Sequence, residues 1–281
     1  MKKIVYRTGA YDILRAVDLQ NLDKEIQMSK GKEEDCIFAL GIYDDNLCQI
    51  LGMNRPIKTA EDRAKIMEQI RGIDFVFTIS STDTKIIETR LKEAYIKYEE
   101  QKNKEEQERK ANKKYKVGYA PGTYDLFHRG HLENILEAAS QSEFLIIGVK
   151  DDELVMSHKN KYPIISAEER MEILRHFKAV NDVYRYYVRD LHMANSWIES
   201  KYGTGADAIF LGSDLEKDFA QVKDINIVFT ERPKEMMKTR SSTALRTLYL
   251  DHEKGREYTG KDIKTMLEEP RTINKPDIDE R

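Results

Sequence analysis

The feature that most constrains this chain is that it resembles itself. Tyr6-Arg-Thr-Gly-Ala-Tyr-Asp aligns with Tyr119-Ala-Pro-Gly-Thr-Tyr-Asp, and Leu19 and Asn21 follow in the same register as Leu132 and Asn134. Gly41, Asp44, Asp45 and Leu47 match Gly148, Asp151, Asp152 and Leu154. Pro56, Ile57, Ala60, Glu61, Arg63 and Ile66 match Pro163, Ile164, Ala167, Glu168, Arg170 and Ile173. One change of register, in the loop between the blocks, reconciles them. Ordered matches on this scale read as an internal duplication, so the fold must be one that can be built twice in 281 residues.

The better-defined copy alternates strand and helix patterns. Strands are expected at Lys116–Ala120, Phe144–Val149, Asp182–Tyr186, Ala208–Leu211 and Ile225–Phe229, with helices at Gly130–Ala139, Ala167–Phe177 and Ala194–Lys201. Such alternation implies a parallel sheet with helices on both faces. Ligands then sit at the carboxyl ends of the strands. The expected fold is α/β, a Rossmann-like doubly wound parallel sheet in two copies, the first truncated and degenerate, joined by a long helix. The domains are expected at 1–82, at 83–114 for the linker, at 115–260 for the catalytic unit and at 261–281 for a charged tail. The stretch from Thr84 to Lys114 has no Gly or Pro and is dense in Lys, Glu and Gln, all good helix formers. Ile86, Leu91, Ala94 and Tyr98 recur at loosely helical spacing, and the segment reads as a solvated connector.

Composition excludes several classes. With 47 Lys and Arg against 50 Asp and Glu, the net charge is −3. That balance gives no general electrostatic case for nucleic acid. The longest apolar runs fall far short of the roughly 20 residues that span a bilayer, and no apolar segment follows the N-terminal lysines. Cys36 and Cys48 form neither a disulfide framework nor a metal-ligand spacing. A reduced, cytoplasmic setting is the expectation.

The chemistry follows the first strand of the second copy, in Pro121-Gly-Thr-Tyr-Asp-Leu-Phe-His-Arg-Gly-His. Gly122 permits a close approach of backbone to phosphate. His128 and His131 fall on one side of a helix start, where free N–H groups and the helix dipole favour an anion. Gly130 leaves room between them. Two imidazoles beside a polyphosphate are expected to be held protonated by its charge, which suits stabilising a phosphoryl group as negative charge builds.

This combination resembles the HxGH signature of the nucleotidylyltransferase superfamily. The run Thr239-Arg-Ser-Ser-Thr-Ala-Leu-Arg resembles the same superfamily's ISSTxxR-like element. Within the superfamily the chain looks most like the cytidylyltransferase branch, nearest to glycerol-3-phosphate cytidylyltransferase, over about Lys116–Leu250. The run Ile209-Phe-Leu-Gly-Ser-Asp-Leu-Glu-Lys-Asp-Phe looks like that family's strand followed by GDDWEGKF, with Ser213 and Leu215 replacing an Asp and a Trp. The resemblance implies CMP transfer from CTP to a small phosphorylated alcohol, with release of pyrophosphate. The products would be CDP-alcohols, such as CDP-glycerol, of the kind that supply cell-surface polysaccharide or phospholipid synthesis. It assigns His128, His131, Lys159 and Lys161 to catalysis, with Lys161 on the nucleotide phosphates and Lys159 on the acceptor phosphate. Nucleotide binding falls to Gly122, Thr123, Tyr124, Gly130, Arg170, Asp214, Ser241, Ser242 and Thr243, with Arg232 or Arg240 serving as the phosphate arginine. Arg170 has a duplicate in Arg63, so a structural ion-pair role stays open for it. The family's RYVD arginine corresponds to Lys178. Mg²⁺ is expected to bind mainly through the CTP phosphates and water, and Asp125 serves either that shell or the turn.

In the first copy, the positions of His128, Gly130 and His131 hold Arg15, Val17 and Asp18. It is expected to be catalytically dead and to pack against the active copy as an internal pseudo-dimer, with an effector-binding half or a homodimer as alternatives. Neither nucleic acid nor membrane is an expected partner. Transfer of AMP instead of CMP, phosphoethanolamine or phosphocholine as acceptor, and a non-catalytic nucleotide-sensing scaffold also stay open.

Overall fold

The computed structural model describes residues 3–31, 36–54, 56–108, 113–230 and 245–249, with the side chains of 103–108 left aside. Two parallel sheets follow one another. The first holds β1 (Lys3–Gly9), β2 (Cys36–Tyr43) and β3 (Phe75–Ile79) in the order β1-β2-β3. Between its strands lie α1 (Ala16–Lys30), α2 (Asp45–Ile50) and α3 (Ala60–Glu68). After α4 (Thr84–Glu108) the second sheet contains β4 (Tyr115–Gly122), β5 (Ser142–Lys150), β6 (Asp182–Tyr186), β7 (Ala208–Gly212) and β8 (Ile227–Thr230). Its order is β6-β5-β4-β7-β8, which puts the topological switch beside β4. The accompanying helices are α5 (Arg129–Gln141), α6 (Asp152–Lys159), α7 (Ala167–Arg175), α8 (Leu191–Tyr202) and the short α9 (Glu216–Phe219). This is the expected α/β architecture, with all five strands of the second sheet near their expected positions.

Local chemistry repeats between the two sheets. Asp44 and Asp151 cap α2 and α6, and Thr59 and Ser166 cap α3 and α7, each side chain accepting a backbone N–H of the first turn. Tyr11 and Tyr124 both adopt positive φ, 50° and 58°. Each lays its ring where a Cβ on Gly9 or Gly122 would come within 2.7 Å, so only glycine fits at either site. Asp12 accepts from the backbone N–H groups of Ile57 and Lys58, and Asp125 from those of Ile164 and Ile165. Arg63 donates to the carbonyls of Lys58, Ala10 and Tyr43 and to Asp45; Arg170 donates to those of Ile165, Thr123 and Lys150 and to Asp152. Every partner in the second set is the sequence equivalent of one in the first.

The two units meet around a local pseudo-twofold. Ile70 and Phe177, equivalent positions, form an antiparallel bridge. Arg71 N donates to His176 O and Lys178 N to Gln69 O, both at 2.8 Å. The Lys178 ammonium reaches the Glu68 carbonyl, while Arg71 reaches that of Arg175. Accordingly α1 packs on α7 and α3 on α5, the reciprocal pattern of an isologous contact. One continuous apolar core runs through it, from Leu22, Phe38 and Leu40 to Phe127, Leu174 and Phe177.

The linker expectation needs correction. The first half of α4 is a packed layer: Ile87 and Leu91 are buried, and with Tyr95 and Tyr98 they cover Phe75 and Phe77 of β3. Ile86, taken as part of the apolar stripe, is exposed. The helix closes the sheet face that α8 closes in the second unit, where Leu191, Ala194 and Ile198 pack.

Candidate active site

A cavity of about 1050 Å³ opens at the carboxyl ends of β4, β5 and β7. His128 forms the N-cap of α5, its Nδ1 accepting from Gly130 N at 3.1 Å. That bond places the proton of the neutral ring on Nε2, which can then donate. The His131 ring stacks on it, centroids 3.7 Å apart and planes within 21°, with Tyr124 edge-on to His131 at 5.2 Å. Both imidazoles are buried and line the cavity.

Gly122, Thr123, Tyr124, Gly130 and Asp214 also line the cavity, as expected. Lys159, the last residue of α6, lines it too. Burial first, then the neighbouring Lys161 charge, hold its ammonium below the usual lysine range. Lys161 therefore lies close by, although it does not line the wall itself. Arg170 is the clear departure. Its side chain is fully buried, its guanidinium is engaged by three carbonyls and Asp152, and it does not reach the cavity. It is a clasp that fixes Thr123 and Lys150, not a nucleotide ligand. Asp125 likewise spends its carboxylate on the Ile164 and Ile165 N–H groups, which settles it on the turn. Lys178 lies at the pseudo-twofold, away from the cavity. Arg232, Arg240, Ser241, Ser242 and Thr243 fall outside the described residues. Just beyond them Leu245 and Leu248 are buried, and Arg246 donates to the Tyr162 carbonyl at 2.7 Å. Arg246, the last residue of the second signature, thus touches the lysine loop.

Sequence reasoning missed three lining residues of consequence. Thr230, ending β8, bonds Asn134 of α5 and the Leu211 carbonyl. Arg189, just before α8, pairs with Asp218. Lys150 ends β5, and burial followed by the charges of Lys159, Arg189 and Arg170 brings its pKa down to about 8. The available signal was a lone lysine closing the apolar run of β5 at the strand end where α/β sheets hold ligands.

Residues 119–271, more than half of the chain, match the cytidylyltransferase-like family. The chain belongs to that family. Among curated relatives it is 35% identical over 71 residues to a probable ethanolamine-phosphate cytidylyltransferase of Encephalitozoon cuniculi, covering 25% of this chain and 22% of that one. It is 39% identical over 77 residues to an FAD synthase of Thermococcus onnurineus, covering 27% and 51%. Against human choline-phosphate cytidylyltransferase A it is 35% identical over 69 residues, covering 24% and 18%. The matches thus span from about a fifth to about half of these relatives' length. Among the described residues no helix is long and apolar enough to cross a membrane.

Proposed function

We propose that this protein transfers CMP from CTP to a small phosphorylated alcohol, glycerol 3-phosphate first among the candidates, forming a CDP-alcohol. The observation that carries the reading is the stacked His128–His131 pair at the start of α5, opening on the same cavity as Lys159. An acceptor phosphate oxygen attacks the α-phosphorus. The bond from that phosphorus to the bridging oxygen breaks, and pyrophosphate leaves with the electron pair. The acceptor is already anionic, so positioning and charge stabilisation suffice. His128 donates from Nε2, and both rings hold α- and β-phosphate oxygens as charge builds. Lys159 and Lys161 draw two anions together against their repulsion.

Among the described residues no three His, Cys, Asp or Glu side chains gather as a metal site. Mg²⁺ would be held chiefly by nucleotide phosphates and water, the coordination this ion favours, and would neutralise charge on the triphosphate.

The recurrent clasps and the pseudo-twofold support a duplicated unit whose first copy has lost its chemistry. Arg15 there takes the place of His128 and turns outward to Glu169, Nε to Oε1 at 2.6 Å, while Ala16 N donates to the same carboxylate. The loop lysines are absent too: Gly52 and Asn54 stand where Lys159 and Lys161 would be. The first copy thus acts as a built-in dimer partner. A second reading, AMP transfer from ATP, is favoured by the likeness to an FAD synthase. Pyrophosphate release measured with CTP or ATP and a panel of phospho-alcohols separates the two. Turnover with ATP alone refutes cytidylyl transfer, and no turnover with any pair favours a nucleotide-sensing scaffold.

A further inference from the structure

The β5–β6 side of the cavity carries donors that nothing among the described residues uses. Lys150 and Tyr186 are register neighbours at the carboxyl ends of β5 and β6, so their side chains share one sheet face. The Tyr119 hydroxyl lies over Gly148 on that same face, in space that a Cβ would fill. All three residues line the cavity. Tyr119 is 1% exposed and Tyr186 9%. Among the described residues neither phenol has a hydrogen-bond partner, nor does the Lys150 ammonium. These donors open on the cavity, where a ligand can meet them.

The charges that act most on Lys150 are all cations: Lys159 from α6, Arg189 ahead of α8 and Arg170 from α7. The carboxylates sharing the cavity are engaged elsewhere. Asp190 caps α8, Asp218 pairs with Arg189, Glu133 pairs with Arg129, and Glu137 accepts from the Gln141 amide. Asp214 lies nearer Lys159, whose charge it supports. This wall therefore attracts an anion and repels a trimethylammonium or ammonium group.

We propose that Lys150 is a second ligand of the acceptor's phosphate beside Lys159, and that the acceptor's tail is uncharged and hydroxyl-bearing, resting on the Tyr119 and Tyr186 phenols. The assignment rests on the transfer reaction proposed above and narrows its acceptor to a polyol phosphate. Lys150 is then specificity-determining: it favours a polyol phosphate over phosphocholine and phosphoethanolamine.

The test uses the full chain. With CTP saturating, K150M raises the KM for glycerol 3-phosphate about 20-fold, the range expected for a lost charged hydrogen bond. The KM for CTP stays within about twofold, and K150R restores most of the loss. In the wild type the acceptor KM rises as pH passes 8, where Lys150 loses its proton. K150R removes that rise, since a guanidinium stays charged. Phosphocholine and phosphoethanolamine are turned over at least about 100-fold less efficiently than glycerol 3-phosphate. An unchanged acceptor KM in K150M, or a preference for either amino-alcohol phosphate, overturns the proposal while leaving cytidylyl transfer intact. Calorimetric titration with glycerol 3-phosphate alone, without nucleotide, gives a readout independent of turnover. If no acceptor reacts, the transfer reading fails. Binding that K150M abolishes still supports the phosphate site; equal binding, or none to the wild type, overturns it. K150Q repeats each arm should K150M fail to fold.

Discussion

Arg63 and Arg170 allow one experiment on two copies of the same device. Each guanidinium is fully buried and holds three backbone carbonyls and one aspartate, Asp45 or Asp152. Replacing either with methionine fills much of the volume and leaves those acceptors without their donor. Removing one partner of a buried ion pair costs about 3–5 kcal/mol. The aspartates are 34% and 26% exposed, so water relieves them in part, and a value near 3 kcal/mol is expected for both variants. Against a total of about 5–15 kcal/mol this is a large fraction. Urea unfolding at 25 °C, followed by circular dichroism, measures it. Activity then separates the twins. Arg170 anchors Thr123 and Lys150, both at the active cavity, whereas Arg63 anchors Ala10 and Tyr43 in the other unit. Below the unfolding transition, R170M should lose about 10²-fold in kcat/KM, the scale of a 1 Å misplacement. R63M should lose under about threefold. A cost below about 1 kcal/mol for either variant refutes the clasp, and equal loss of activity in both refutes the division of labour.

His131→Ala should lower kcat by about 10²–10³ in a pyrophosphate-release assay, with the CTP KM changed only a few-fold, because its interaction acts mainly in the transition state. Asp18→Ala, at the matching position of the first unit, should leave kcat/KM within about twofold; a large loss with the fold intact would reveal a composite site. The Arg15 hydrogen bond holds the Glu169 carboxyl below its usual range, so its stabilisation is full above about pH 4.3 and is lost as pH falls through the lower folded value. E169Q should flatten that acid limb, by no more than about 1 kcal/mol because Arg15 is half exposed, as read by thermal melts from pH 3 to 7. Lys150 has the opposite sense: its folded pKa near 8 lies below the ordinary lysine value, so the penalty is full below pH 8 and fades as pH rises above it. K150M should therefore gain about 1 kcal/mol at pH 7, after allowing for partial solvation, and lose that gain by about pH 10.4; melts at both pH values check it.

Much of the architecture was legible because parallel strands buried on both faces are written as near-continuous apolar runs. Asp182–Tyr186 was read at its observed bounds. The strand read as Phe144–Val149 proved longer, and the extension mattered, since it contains Lys150. Composition misled at α4. Its Lys and Glu content suggested solvent all round, and the aromatic surface that takes up Ile87, Leu91 and Tyr98 is provided by β3, which helix spacing alone does not reveal. At the site, His128 and His131 were legible because their placement at the cavity depends on local spacing at a helix start. Arg170 was not, because a guanidinium looks the same in sequence whether its donors meet a ligand or the chain's own carbonyls. The persistence of Arg63 in a copy without histidines was the one clue, and it pointed to structure.

The two units share their turn, their capping residues and their buried arginine, and they differ where Arg15 and Asp18 stand in place of the two imidazoles and Gly52 and Asn54 in place of the loop lysines. Arg15 does more than remove a ring. Its guanidinium takes both oxygens of Glu169, at 2.6 and 3.0 Å, in the first turn of α7. The residue after Glu169 is Arg170, the clasp of the active cavity. The position that carries His128 at the cavity in one unit thus serves in the other to brace the helix whose Arg170 fixes Thr123 and Lys150. Without α1 and Arg15 the α7 face and the apolar core that runs through Phe177 would lie open to water.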